Sequence, residues 1–302
     1  MDRQLTFPLI TMIRKPICIV ILLLLTVLGL GNAHAFFPDS PEQLTILAKN
    51  NQYYQTQCPI LSKASINTNQ KELSSPFTLL NWNIFKQQNQ NWENSLKEWA
   101  DRADFITLQE AKLSPALIQF SVQKELSYLH NYAFKYNNFI YGVNTLSRVA
   151  PLSLCGSAYP EPWIWVPKTG LASTYPIQGS QQTLLLINLH GVNFTLTEQP
   201  LREQLSPYLA LIKQHSGPII FSGDFNTWTD ARLSEVKQSL IKSGFSEALF
   251  DDDQRLTVFG LPLDHIYFRG LNVIEAKSII TDASDHNPQL VTFELSPSVI
   301  NL

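Results

Sequence analysis

Ile219-Ile220-Phe221-Ser222-Gly223-Asp224-Phe225-Asn226-Thr227 is the stretch on which the fold turns. Gly217-Pro218 precedes it, and Ile219, Ile220 and Phe221 form a short apolar run. That pattern is a buried strand entered from a turn. Gly223 lets the backbone pass close to a neighbour. Asp224 and Asn226 stand at i and i+2, on one face of an extended segment. A carboxylate and a carboxamide pointing the same way off a strand end can hold a metal-bound water or a phosphate. The same residues also favour a plain Asx-turn, and the rest of the chain has to decide.

Upstream, residues 200–215 read as a helix through Leu201, Leu205, Tyr208, Leu209 and Ile212, with Pro207 expected to kink it or to mark where the better helix begins. Residues 132–136, 139–146, 169–175 and 184–189 read as strands. Further back, 77–83 and 104–109 are strands, the second ending in Glu110. Trp92, Leu96, Trp99 and Ala100 make one helical face, and Ser114-Pro115 opens a helix facing inward through Leu117, Ile118, Val122 and Leu126. Downstream, 231–243 is helical, and 264–268, 273–280 and 289–293 are strands. Strands and helices alternate without a strict βαβ rhythm, which fits a two-layered β-sandwich with helices on both outer faces. A doubly wound parallel sheet is the alternative; no dinucleotide or P-loop glycine pattern supports its nucleotide-binding forms.

The chain has 302 residues, 44% hydrophobic and 16% charged, enough for one large domain. Residues 1–35 read as a signal peptide: Arg14 and Lys15, then twelve uncharged residues from 17 to 28, then Ala33-His34-Ala35 as an A-x-A cleavage pattern. An uncleaved membrane anchor stays open as the alternative. Export makes the chain periplasmic or secreted. Without Arg3, Arg14, Lys15 and Asp2 there remain 19 basic and 24 acidic side chains, net −5. A strongly basic nucleic-acid surface is therefore absent, although a metal ion can bring its own positive charge to a phosphate. Cys58 and Cys155 remain after cleavage, either as a disulfide or as two free thiols. Residues 36–75 read as a leader, with one short helix near 44–48, and 76–297 as the folded domain.

Six motifs put polar groups at or just beyond expected strands: Asn81-Trp82-Asn83, Leu108-Gln109-Glu110, Asn188-Leu189-His190, Gly223-Asp224-Phe225-Asn226, Leu263-Asp264-His265 and Ser284-Asp285-His286-Asn287-Pro288. Each alone is weak. Together they hold every group that metal-assisted phosphate-ester cleavage needs: oxygen ligands for a hard cation, a carboxylate-held histidine, and further donors for charge on phosphorus. His265 should point away from Asp264, and Asp251-Asp252-Asp253 reads as a solvated loop.

This ordered set resembles the endonuclease/exonuclease/phosphatase superfamily, which includes the DNase I-like nucleases, over roughly residues 77–295. Trp82-Asn83-Ile84-Phe85-Lys86-Gln87-Gln88, Asn188-Leu189-His190-Gly191-Val192-Asn193-Phe194 and Phe268-Arg269-Gly270-Leu271-Asn272-Val273 are similar to its YafD-like bacterial branch. The resemblance implies a four-layer α/β/β/α sandwich. It implies that Asn83, Glu110 and Asp285 serve a Mg2+ or Mn2+ ion. By the same resemblance His190 contacts the scissile phosphate or assists the leaving group, Asp224 and Asn226 align nucleophile and phosphate, and Asp264 orients the catalytic His286. Arg148 and Lys168 are weaker candidates for touching a phosphate; each also reads as a solvated surface charge. The expected function is a metal-dependent hydrolase of phosphate esters, a phosphodiesterase of nuclease type, acting as a monomer with no stable protein partner and with nucleic acid as one candidate substrate. A phospholipid or small-molecule phosphoesterase of the same fold, and a non-catalytic envelope binding module, stay open.

Overall fold

The computed structural model describes residues 45–64, 71–164 and 166–296. The signal-like segment and its cleavage pattern lie outside them. The strands are β1 (Thr45–Ala48), β2 (Gln52–Gln55), β3 (Ser62–Lys63), β4 (Phe77–Asn83), β5 (Phe105–Lys112), β6 (Ser127–Tyr136), β7 (Phe139–Ser147), β8 (Ser153–Pro160), β9 (Pro167–Pro176), β10 (Thr183–His190), β11 (Ile219–Asp224), β12 (Ser246–Glu247), β13 (Thr257–Val258), β14 (Leu261–Pro262), β15 (Asp264–Arg269), β16 (Leu271–Ser278) and β17 (Gln289–Leu295). The helices are α1 (Trp92–Ala100), α2 (Pro115–Gln123), α3 (Gln199–Gln214) and α4 (Asp230–Ile241).

One sheet runs β16-β17-β4-β5-β7-β6-β1-β2 and the other β12-β15-β11-β10-β9-β8-β3, with β13-β14 as a separate hairpin. The outer face of the first sheet, through Leu80, Trp82, Ile106 and Leu108, packs on Leu96 and Trp99 of α1 and Leu117 and Phe120 of α2. The outer face of the second, through Leu185, Ile187, Ile219 and Phe221, packs on Leu201, Leu205 and Tyr208 of α3 and Val236 and Leu240 of α4. Between the sheets lie Phe77, Leu79, Phe105, Leu184, Leu186 and Ile220. The architecture is the four-layer α/β/β/α sandwich, and the doubly wound sheet is excluded.

The inward rows decide where function can sit. Because strand side chains alternate, β4 turns Phe77, Leu79, Asn81 and Asn83 inward, and β10 turns in Leu184, Leu186, Asn188 and His190. Each row is apolar at the start of its strand and polar at the end. The polar members bond one another: Gln109 Nε2 donates to Asn81 Oδ1 at 3.0 Å and to Asn188 Oδ1 at 2.7 Å, and the Thr107 and Ser222 hydroxyls lie 3.1 Å apart, while Gln109 Oε1 has no partner among the described residues. A buried polar layer of this kind is tolerated only because its bonds are made inside the protein. β4 and β5 are parallel, as are β10 and β11. The carboxyl ends of all four lead to the same end of the sandwich.

Four differences from the sequence reading have physical causes. Residues 45–48 form a strand, not a helix, because β1 gains partners on both sides, β2 and β6. The supposed leader thereby joins the sheets. α2 buries Leu117 and Phe120 but leaves Val122 62% exposed, since Phe120, one turn from Leu117, shares its packed face and Val122 does not. α3 runs unbroken through Pro207. β8 fell outside the expected strands: Gly156, Ser157 and Pro160 weaken its apolar alternation.

Candidate active site

Asp224 closes β11, and its backbone is in register with Asp264 on β15 and His190 on β10. That register requires Gly223. Its φ is +151°, and a Cβ there would lie 2.0 Å from the Leu189 carbonyl oxygen. The Asp224 side chain is the hub. Oδ2 accepts from Asn83 Nδ2 at 2.9 Å and lies 3.7 Å from His190 Nε2 and 3.9 Å from His286 Nε2; Oδ1 accepts from the Asn226 N–H at 2.9 Å. Asn226, in the left-handed region, turns its own Nδ2 to the Gly191 carbonyl at 2.9 Å.

His286 is fixed from both sides. Its Nδ1 lies 2.7 Å from Asp264 Oδ2, its N–H donates to Ser284 Oγ at 3.1 Å, and its carbonyl accepts from Trp82 Nε1 at 2.9 Å. Ser284 in turn donates to the Asn83 carbonyl at 2.7 Å, tying the loop to the end of β4. Burial opposes charge on His286, but Asp264, with Asp224 and Asp285 behind it, outweighs burial and raises its pKa to about 10. The second histidine is the reverse case. Burial pushes His190 well below the usual value, and Lys168 adds to the effect. Lys168 Nζ approaches His190 Nε2 at 2.6 Å. An ammonium has no lone pair to offer, so it donates and His190 carries its proton on Nδ1. The two histidines are therefore poised oppositely, His190 neutral and His286 charged. Burial also raises the Asp224 carboxyl, and Asp264 adds to the rise.

Glu110 sits on a β-bulge of β5, where the register with β7 shifts between Leu108 and Ala111, and its φ is +53°. Burial would raise its carboxyl, but Lys86 and Lys168 hold it well below the usual carboxylate range. Its Oε1 is 3.9 Å from His190 Nε2, and Oε2 is ion-paired with Lys86 Nζ. Asp285 is exposed and within electrostatic reach of Glu110 and Lys86.

Seven of the expected residues, Asn83, Glu110, His190, Asp224, Asn226, Asp264 and His286, thus converge, with Asp285 at the rim. Lys168 joins them through His190. Arg148 does not: its guanidinium donates to the Ala100, Ala103 and Asp101 carbonyls, capping the end of α1. A cation just past a strand is also the residue a helix C-terminus recruits, and the sequence alone does not separate the two. Sequence reasoning gave no role to Lys86 or Arg232. Arg232, buried in the first turn of α4, donates Nε to the Asn226 carbonyl at 2.7 Å and Nη2 to the Val192 carbonyl, joining the loops after β10 and β11. Its helical position carried no signal of this. As left aside, His265 faces away and bonds Glu247 and Thr227.

The donor set fits a hard divalent cation. Glu110 and Asp285 offer carboxylate oxygens, and the Lys86 ammonium already on Glu110 shows that this spot attracts positive charge. Asn83 spends its Oδ1 on the Phe85 N–H at 3.1 Å and its Nδ2 on Asp224, so its carboxamide is committed to the protein. Ligand atoms of Asp224, Asp264 and His286 also lie within 4.8 Å of one another. Their closeness is already explained by the carboxylate–imidazole bond.

The fold and this convergence of acids, histidines and lysines define a protein built to handle an anionic, ester-bound group. A sequence profile of the Endonuclease/Exonuclease/phosphatase family matches residues 80–286, and the chain belongs to that family. It is 40% identical over 286 residues to UPF0294 protein VV2535 of Vibrio vulnificus (strain YJ016), covering 93% of this chain and 98% of the relative. Among solved structures it resembles the human Nocturnin catalytic domain with bound sulfate (TM-score 0.57, 18% identity, 76% of this chain and 97% of that one). It also resembles ANGEL2, described as a 2',3'-cyclic phosphatase (TM-score 0.58, 16% identity, 78% and 98%). At these identities the structures speak for the fold.

Proposed function

We propose that the chain is an exported, divalent-metal-dependent phosphodiesterase of nuclease type. The observation that carries this reading is the Asp224 hub: one carboxylate oxygen within 4 Å of both histidines, with Glu110 alongside His190. Asp264 fixes the His286 ring through Nδ1 and keeps it cationic. Asp224 and His286 then hold an attacking water between them. Because His286 already carries its proton, the raised Asp224 carboxylate takes the proton that water gives up as it bonds to phosphorus. Lys168 and His190 face the phosphate oxygens, whose charge grows as the P–O bond to the leaving group breaks. A divalent ion held by Glu110 and Asp285 would supply further positive charge to that phosphate and to the leaving oxygen.

Export is supported by the Cys58–Cys155 disulfide, since such bonds persist in oxidising compartments. Among the described residues no helix is long and apolar enough to cross a membrane. One observation favours a substrate with an apolar face. The fully buried Glu161 carboxylate accepts from the Asn193 and Phe194 N–H groups, joining two loops, one of them directly after His190. These loops expose Trp163 and Leu196, at 59% and 83%. A nucleobase suits such a rim through stacking; a phospholipid is the second reading.

The test is a panel of supercoiled DNA, RNA, phospholipid and an aryl phosphodiester, with Mg2+ or Mn2+ and with chelator. Hydrolysis of a nucleic acid that chelator abolishes is expected. Glu110→Gln should lose activity, with only partial rescue by added metal, because a hard ion prefers a carboxylate. Full activity of Glu110→Gln in chelator would sink the reading.

A further inference from the structure

Lys86 has no part in the chemistry described above, yet the chain goes to some length to place it. Phe85, Lys86 and Gln87 have φ values of 47°, 54° and 57°, three consecutive non-glycine residues in the left-handed region. Such a run is unfavourable for L-residues and persists only where the surroundings over-determine it. They do so here. The Phe85 N–H is taken by Asn83 Oδ1 at 3.1 Å. The buried Gln87 side chain accepts from the Lys112 N–H at 2.9 Å and donates to Ser114 Oγ at 3.2 Å. The loop is closed by Gln87 N–H to Ile84 carbonyl at 2.9 Å and Gln88 N–H to Phe85 carbonyl at 3.1 Å.

The result is an ammonium directed onto Glu110, whose own backbone is left-handed at a bulge. Both partners are thus held in uncommon conformations and aimed at each other. Ordinary stabilisation is a poor account of this. The Lys86 side chain is 35% exposed, and partly exposed ion pairs contribute little to stability. A strained loop would be a costly way to obtain one.

We propose that Lys86 is a tethered counter-ion of the Glu110 metal site: it neutralises the carboxylate until a divalent cation binds, yields it to that cation, and carries its ammonium to the incoming phosphate. The inference rests on the metal-dependent reading above. A divalent ion and an ammonium on one carboxylate repel each other. Metal must therefore displace Lys86, and a displaced ammonium is left without a partner until an anion arrives. A phosphate supplies that partner, because lysine binds phosphate readily as a point charge. Metal and phosphate should then favour each other's binding, and by linkage the coupling is reciprocal. The device would disfavour loading of the metal in the absence of substrate. It would also keep Glu110, Asp224, Asp264 and Asp285 from facing one another with less neutralising charge.

The experiment measures Mn2+ affinity by calorimetry or electron paramagnetic resonance, with and without inorganic phosphate, for the wild type, Lys86→Met and Lys86→Arg. In the absence of phosphate, Lys86→Met should bind Mn2+ about tenfold more tightly than wild type, a typical size for coupling between sites. Phosphate should tighten Mn2+ binding severalfold in wild type and in Lys86→Arg, and distinctly less in Lys86→Met. Direct contact between phosphate and the ion would tighten all three alike, so the share due to Lys86 is the difference. Equal or weaker Mn2+ binding by Lys86→Met overturns the proposal, as does an equal phosphate effect in Lys86→Met and wild type. The wild type alone also decides: if phosphate leaves its Mn2+ affinity unchanged, the counter-ion role is wrong even should Lys86→Met fail to fold. Mn2+ binding to none of the proteins would remove the metal-dependent reading itself, a result distinct from the failure of Lys86 alone.

Discussion

At the scale of single residues, the Asp264–His286 contact at 2.7 Å makes the sharpest claim. Asp264 raises the His286 pKa, so Asp264→Asn should lower it. A neutral His286 acting as the base would put this shift on the acid limb of the pH–rate profile. The charged resting state puts it on the alkaline limb instead, and that limb should move to lower pH beneath a reduced plateau. His286→Ala should cost roughly 10²–10³-fold in rate, the scale of losing one preorganised electrostatic group. Adding Asp264→Asn to it should cost little more, because the two act as a unit. A pH profile that stays put, or multiplied losses in the double variant, would show that Asp264 does not act through His286. Stability follows the same linkage. With a folded pKa of about 10 against 6.5, the charged pair stabilises fully below pH 6.5, and the contribution is lost as pH rises through 10. Asp224 and Asp264 were legible because each ends or begins a strand inside a short motif, and His286 because the Ser284–Pro288 loop motif just before β17 carries it. The counter-ion Lys86 was not, since its placement depends on a left-handed backbone that no spacing rule reveals.

Elements were legible wherever a short apolar run ended in polar residues, as in β4, β5, β10 and β11. They were obscured where pairing partners, not propensity, decide, as in β1. The opposite faces of β15 were also readable: Asp264 turns to the site and His265 turns away. The structure adds what His265 does there. It is fully buried, with Nδ1 2.6 Å from Glu247 Oε1 and Nε2 2.7 Å from the Thr227 hydroxyl, and its ring stacks on Tyr267. Thr227 directly follows Asn226, so β15 holds the Asp224–Thr227 turn from behind while Asp264 works in front. His265→Ala would remove one partner of the half-buried Glu247 carboxylate, which keeps Lys237 and Arg255, and one partner of the buried Thr227 hydroxyl. Losing buried hydrogen bonds of this kind costs about 1–3 kcal/mol, and a drop in melting temperature of roughly 3–10 °C is expected for a chain of this size. The rate should fall as well, since the turn carrying Asp224 loosens. His265→Ala with unchanged melting temperature and rate would show that the turn is held by its backbone alone.

For the molecule as a whole, the segment read as a leader works as a strap. β1 and β2 form one edge of the first sheet, and β3 forms the edge of the second, so 45–63 runs from one layer to the other. The Cys58–Cys155 disulfide pins the middle of that run to β8, across a sequence separation of 97. Closing so long a loop in the unfolded chain removes conformational entropy amounting to about 4–5 kcal/mol in the chain-entropy account, with about 2–4 kcal/mol the usual yield. Reduction, or the double variant Cys58→Ala/Cys155→Ala, should therefore lower the melting temperature by roughly 5–15 °C. The loss should not be even. Sheet edges open before central strands because fewer buried contacts hold them. Amide exchange should thus rise first in β1, β2 and β3, while β4, β5, β10 and β11, which carry Asn83, Glu110, His190 and Asp224, stay protected. Activity at low temperature should survive reduction for the same reason. If exchange rose equally in β10 and β11, or if activity vanished before the strap opened, the disulfide would be supporting the site directly rather than fastening the two sheets at their far edge.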